Sequence, residues 1–187
     1  MSAENWTPPC RAHAGTAPIS GVRIVRPRVF ADERGLFTES HSTRALTEAG
    51  IHATFLQDNL SHSKRNVLRG LHGAPNMAKL VMPIRGEVFD VVVDLRPGSP
   101  TYRVWESYVM KAEEFSQLYI PAGCLHGFLA LTDEVVFHYK QTALYEPSAE
   151  FGVAWDDPEL AIPWPLDGPP ILSAKDAVNP TLLELGL

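Results

Sequence analysis

Along most of the chain, apolar residues alternate with polar ones in short runs bounded by glycine, proline and aspartate. This is the pattern of strands that turn one face to a core. Runs at 54–59, 67–72, 79–84, 87–95, 104–110, 116–120, 127–131 and 135–140 read as strands, separated by Gly86, the proline-flanked stretch 96–100, the turn Pro121-Ala122-Gly123 and Thr132-Asp133. Two earlier runs, 22–25 and 36–40, lie either side of a turn at 32–35. One helix is predicted over 42–49, with Ser42 as N-cap and Gly50 just past its end. Many short strands with almost no helix predict an all-β sandwich or barrel. No repeat period divides the chain, so a single domain is expected over residues 1–187.

The two ends read differently. Residues 1–18 carry Pro8, Pro9, Gly15 and Pro18 and predict an irregular arm whose Trp6 could dock on the body. Residues 146–187 hold seven prolines together with Trp155 and Trp164. That density forbids long helices and central strands, so this segment is expected to wrap the barrel and end in a short helix beginning near Ser173.

Composition narrows the function. At 187 residues, 45% hydrophobic and 20% charged, the chain can bury a real core without staples. Its two cysteines, Cys10 and Cys124, form no disulfide framework or zinc motif. A net charge of −6 without a basic stripe argues against nucleic acid. The N-terminus lacks the features of an export signal and no run is long and apolar enough for a membrane span, so a cytoplasmic, non-membrane protein is expected. An anionic small molecule remains possible if a few cations converge in a cleft.

One strand breaks its own packing rules. Arg69-Gly70-Leu71-His72 places a cation, a glycine and an imidazole in an apolar run, and such local violations tend to mark function. Strict alternation would send Arg69 and His72 to opposite faces. A bulge or twist at Gly70 is therefore expected if both serve one site. Further on, Pro121-Ala122-Gly123-Cys124-Leu125-His126 resembles the second motif of cupins, in which a turn delivers a histidine into the barrel mouth. Where the first motif of metal-binding cupins supplies His-x-His and a Glu, the strand ending at His72 offers one histidine, so the resemblance implies metal-free acid–base work without a cofactor. The acids of 90–94 read as the outward face of a barrel strand. His13, His41, His52 and His62 read as surface residues.

Taken in order, Asp32-Glu33-Arg34-Gly35-Leu36-Phe37-Thr38-Glu39, Gln57-Asp58-Asn59, Leu68-Arg69-Gly70-Leu71-His72, Lys79-Leu80-Val81, Asp90 to Arg96, Ile120 to Phe128, Tyr139-Lys140, Tyr145 and Leu172 to Asp176 resemble the dTDP-4-dehydrorhamnose 3,5-epimerase family. The resemblance implies a cupin-type jelly roll with one or two short peripheral helices, working as a homodimer. It implies an enzyme that inverts C3 and C5 of a dTDP-linked 4-keto-6-deoxyhexose, with no cofactor and no metal. The C4 ketone acidifies the protons at C3 and C5, so such a reaction needs a base, an opposed acid and a positive group at the enolate oxygen.

By the same resemblance His72 is the base and Asp176 its carboxylate partner, Tyr139 the opposed acid and Lys79 the cation at the C4 oxygen. Arg34, Arg69 and Lys175 match diphosphate and substrate contacts, and Tyr145 the aromatic stacked on thymine. Phe37, Glu39, Gln57, Asn59, His126 and Glu150 match other substrate-contacting positions, some supplied across a dimer. Asp176 has a competing reading, because Ser173-Ala174-Lys175-Asp176 is nearly a capping box that could merely close a helix start. Tyr139 could simply pack within its strand, with His138 and Lys140 on the opposite face. The chain departs from the family pattern after the base: Gly73 stands where an aromatic is usual, and Lys79 follows His72 by only seven positions. A missing side chain at Gly73 is expected to leave room beside the sugar.

Three rivals stay open. One is an epimerase acting at C3 alone, or on another 4-keto sugar nucleotide. A second is a metal-dependent cupin oxygenase. The third is a catalytically inactive sugar-binding cupin.

Overall fold

A computed structural model describes residues 18–187 and the backbone of residues 13–14. The rest of the N-terminal arm, with Trp6 and Cys10, lies outside the described residues, as does the His13 side chain. In chain order the strands are β1 (His13–Ala14), β2 (Arg23–Val25), β3 (Val29–Asp32), β4 (Gly35–Thr38), β5 (Gln57–Lys64), β6 (Leu68–Gly73), β7 (Lys79–Arg85), β8 (Glu87–Asp94), β9 (Trp105–Lys111), β10 (Gln117–Ile120), β11 (Cys124–Ala130), β12 (Glu134–Gln141) and β13 (Phe151–Gly152). Helix α1 (Thr43–Glu48) precedes β5, and α2 (Leu182–Leu185) lies at the C-terminal end.

The strands form two facing antiparallel sheets, ordered β1-β9-β8-β11-β6-β13 and β2-β10-β7-β12-β5, plus the separate hairpin β3-β4. This is an all-β fold, as the sequence pattern predicts, and the jelly roll that the resemblance implies. Val88 and Val92 of β8, Phe128 of β11, Val81 of β7, Leu118 of β10 and Phe137 of β12 fill the space between the sheets. Such two-residue spacing is what strand geometry requires of an inner face. The intervening residues Phe89, Val91, Val93, Leu125 and Leu129 are buried as well, against Val153, Leu160, Trp164 and Leu182 of the C-terminal segment. That sheet is therefore apolar on both faces because the proline-rich wrap covers its outside. Asp157 fastens the wrap: its buried carboxylate accepts from the amides of Glu159, Leu160 and Leu182 at 2.9, 2.9 and 2.8 Å.

Ser42 caps α1 as expected, accepting from the Ala45 amide, and Gly50 follows with φ +78°. The helix lays Leu46 on Val25, Ile51 and Leu80 outside the second sheet. At the other end the helix expected near Ser173 divides into a 3-10 turn at Asp176–Val178 and α2, the latter closed by a capping box between Thr181 and Glu184.

Three expectations are corrected. Asp90 and Asp94 do not face outward. Both are fully buried: Asp94 bonds Arg96, Ser99 and Thr101, and Asp90 points between the sheets. The strand expected at 54–59 runs instead from Gln57 to Lys64, because pairing with β12 from Gln141 back to Glu134 supplies hydrogen bonds that the polar run Ser61-His62-Ser63 could not signal. Gly73 does not open space for a ligand. A Cβ there would lie 2.4 Å from the Cys124 carbonyl oxygen, so the missing side chain serves the close approach of β6 to β11.

The bulge is where the sequence placed it. Between β6 and β11 the register moves from His126↔His72 to Phe128↔Arg69, three residues on β6 against two on β11. Gly70, at φ +119°, takes up the extra residue, and a Cβ on it would meet the Gly127 Cα at 2.5 Å. Leu71 turns outward into the core beneath the wrap. Arg69 and His72 consequently open onto the same cleft.

Candidate active site

The cleft lies at one mouth of the jelly roll, lined by Arg69 and His72 of β6, Lys79 of β7, His126 and Phe128 of β11, Phe137, Tyr139 and Gln141 of β12, then Tyr145 and Glu150. Two carboxylates flank His72. Asp176 Oδ1 stands 3.6 Å from Nε2 and Glu150 Oε1 stands 3.7 Å from Nδ1. Both acids come from the wrap, each by a local device. Pairing of Gly152 with His72 holds β13 against β6, setting Glu150 beside the imidazole. Ser173 Oγ accepts from the Asp176 amide at 3.0 Å, starting the 3-10 turn and leaving the Asp176 side chain, only 6% exposed, to face the ring. The capping role is thus Ser173's, and the Asp176 carboxylate is directed at His72.

Burial and the Lys79 ammonium pull the His72 pKa down to about 4, against Glu150 and Asp176, which raise it. A neutral imidazole at physiological pH is the form a base requires. Lys79 is buried and its Nζ lies 3.4 Å from the His72 carbonyl oxygen. Burial lowers its pKa to about 8, with Glu150 and Asp90 acting the other way. The shortened connection after His72 still delivers this lysine to the cleft. It closes through the Ala74↔Met77 bridge, with the Ala74 carbonyl accepting from the Gly123 amide.

Tyr139 lines the same cleft from β12, and burial raises its phenol pKa, so it is held as a proton donor. His138 and Lys140 point the other way, to Asp58 on the outer surface at 3.8 and 2.7 Å. Arg69 donates to Ser63 Oγ at 3.1 Å and to the His62 carbonyl, neutral partners that leave its charge available to an anion.

Two residues escaped the sequence reading, Asp90 behind the cleft and Gln141 in its lining. Asp90 holds His126 Nε2 at 2.8 Å, both groups buried, while the His126 ring stacks on Phe137 with centroids 6.2 Å apart. Gln141 lies two residues beyond Tyr139 on the same face, so counting by two would have found it. Its side chain accepts from Asn59, which in turn accepts from Gln57. Gln57 also accepts from the Tyr145 amide at 2.9 Å. Gln57 and Asn59 therefore brace the rim of the cleft.

Arg34, Phe37 and Glu39 are not brought to this cleft. Arg34 and Phe37 lie on the β3-β4 hairpin, where they line a groove of their own with Phe30 and Leu36. Arg34 pairs with Asp32, and Glu39 is exposed just beyond β4.

The model of the dTDP-4-dehydrorhamnose 3,5-epimerase family matches residues 16–184. The chain belongs to that family. The family's Pseudomonas aeruginosa dTDP-4-dehydrorhamnose 3,5-epimerase is 50% identical over 161 residues, 84% of this chain and 89% of that protein. The dTDP-6-deoxy-D-glucose-3,5-epimerase of Legionella pneumophila, solved in complex with dTDP-4-keto-L-rhamnose, superposes with a TM-score of 0.83 at 42% identity, covering 92% and 93% of the two chains. ChmJ, a 3′-monoepimerase from Streptomyces bikiniensis solved with dTDP-quinovose, superposes with a TM-score of 0.84 at 36% identity, covering 91% and 90%. The Legionella 3,5-epimerase and the Streptomyces 3′-monoepimerase thus share this jelly roll.

Proposed function

We propose that the protein inverts C3 and C5 of dTDP-4-dehydro-6-deoxy-D-glucose, giving dTDP-4-dehydro-L-rhamnose. The observation that carries this reading is the meeting of a neutral imidazole, a buried ammonium and a protonated phenol in one cleft of a chain from this family. His72 takes the proton from the carbon beside the ketone, and the electron pair moves onto the C4 oxygen. Lys79 stabilises the enolate charge there. Tyr139 returns a proton from the opposite face, and both side chains re-equilibrate with solvent. Arg69 and Lys175 hold the diphosphate, an assignment favoured by their charge at the cleft rim, and Tyr145, half exposed, offers its ring to thymine.

Inversion at C3 alone is the second reading, favoured by the likeness to the 3′-monoepimerase. Turnover in deuterium oxide separates the two. Label entering both carbons is expected, and label confined to C3 would transfer the protein to the second reading. An oxygenase reading is disfavoured by the Lys79 ammonium, which occupies the place where a metal cation would need negative or neutral ligands.

A homodimer completes the proposal. The β3-β4 hairpin exposes Val29, Phe30, Leu36 and Phe37, and β5 is an open sheet edge bearing Leu60 at 69% exposure. Apolar hairpins and open edges are surfaces that a second chain covers. In this arrangement Arg34, Phe37 and Glu39 would reach the partner's cleft. Sedimentation velocity is expected to give a dimer, and a monomer at working concentration would remove those three residues from the site.

A further inference from the structure

Glu150 has contacts that the proton-transfer scheme leaves unused. One carboxylate oxygen faces His72 Nδ1 at 3.7 Å, and that nitrogen is buried without a hydrogen-bond partner. The other oxygen is bonded by the Lys175 ammonium and approached by the Tyr145 hydroxyl at 3.4 Å. Glu150 is 16% exposed in its side chain and Lys175 is 51% exposed. An inner carboxylate thus stands between the base and an outer, half-exposed cation.

On the reading of the cleft as a sugar-nucleotide site, we propose that Lys175 and Glu150 form a substrate-released relay. An incoming diphosphate draws the Lys175 ammonium off Glu150, and the uncovered carboxylate then strengthens His72 as a base. A diphosphate offers two negative charges and several acceptor oxygens against one carboxylate, and lysine is a mobile point charge on a long stem. The base would then be weak in the empty cleft and become competent as the nucleotide docks.

Other charges face His72 and stay in place. Lys79 on β7 and the His126–Asp90 pair on β11 and β8 act on it from within the barrel. Asp176 acts from the wrap, and Arg69 and Tyr139 line the same cleft. Lys79 and Tyr139 also feel the Glu150 charge, and Asp176 acts on Lys175, so the relay is isolated by changing Lys175 and Glu150 separately. Burial works against the charge of Glu150, and Lys175, then His72 and Lys79, keep its pKa below the ordinary value; once Lys175 is drawn off, His72 and Lys79 are the neighbours that still favour the carboxylate.

The test follows the His72 imidazole by NMR titration with and without dTDP, the resonance being assigned by its loss in His72→Asn. In the unchanged protein dTDP is expected to raise the His72 midpoint by about one pH unit, the effect of a newly unshielded neighbouring charge. Lys175→Met should show the raised midpoint without dTDP and respond little to its addition. Glu150→Gln, nearly isosteric, should keep a low midpoint that dTDP barely moves. A Glu150→Gln response as large as that of the unchanged protein would mean that the phosphates act on His72 directly, and would overturn the relay. So would a Lys175→Met midpoint equal to that of the unchanged free protein. Deuterium uptake into the sugar with a His72 midpoint indifferent to dTDP would sink the relay alone, whereas absent uptake sinks the epimerase reading.

Discussion

His72→Ala is expected to lower kcat by about 10²- to 10⁴-fold and to abolish deuterium uptake at C3 and C5 together. One imidazole serves both carbons in the proposed reaction, and no other neutral base lines the described cleft in a comparable setting. His126 is tied to Asp90 at 2.8 Å, and Tyr139 is held protonated by burial. The substitution should leave dTDP affinity largely intact, because Arg69 and Lys175 stand apart from the lost ring. It should also leave the fold intact, since His72 is itself a quarter exposed and the bulge rests on Gly70. Exchange persisting at C3 alone would reveal a second base and end the single-base scheme. In the unchanged enzyme, kcat/KM should rise with pH through about 4 as His72 loses its proton.

Lys79→Met should produce an opposed pair of effects. Removal of the cation at the developing enolate is expected to cost about 10²- to 10³-fold in kcat. Stability should move the other way. A lysine whose pKa falls from 10.5 to about 8 on folding disfavours the folded state at every pH where it stays charged, by up to about 3 kcal/mol below pH 8. This handicap fades between pH 8 and 10.5 as the unfolded chain alone holds the proton. Methionine fills nearly the same volume without the charge, so the melting temperature at pH 7 should rise while turnover falls. The unchanged enzyme should lose activity above about pH 8, and the variant's residual rate should lack that alkaline decline. A melting temperature that drops instead would mean that Lys79 is paired more strongly than its neighbours indicate.

Much of the barrel was legible because alternation reports which residues share a face, as along β12, where Val135 and Phe137 are buried. The same rule foretold the bulge, since Arg69 and His72 could reach one cleft only through an irregularity and Gly70 was the residue to host it. Alternation fails where a strand is buried on both sides. Within β8 nothing local tells Asp90 from an outward acid, and only the wrap packed behind the sheet decides the matter. The wrap's contributions were legible by resemblance alone. No periodicity places Glu150 or Asp176 next to His72, because the pairing of β13 with β6 and the Ser173 turn join positions some eighty to a hundred residues apart. The hairpin was visible as a turn, but the absence of Arg34 and Phe37 from the cleft of their own chain is a matter of tertiary path.

The division of the site between barrel and wrap fixes an order of events during synthesis. The imidazole, the ammonium and the phenol are all in place once β12 pairs with β5 and β7. Glu150, Lys175 and Asp176 arrive later, on the segment that closes over Leu68, Leu71 and Leu125 and is fastened by Asp157. A nascent chain halted between Gln141 and Glu150 would carry the imidazole, the ammonium and the phenol but neither of the two acids that flank His72. The docking step that hides the outer apolar face from water is thus also the one that brings both acids to the imidazole.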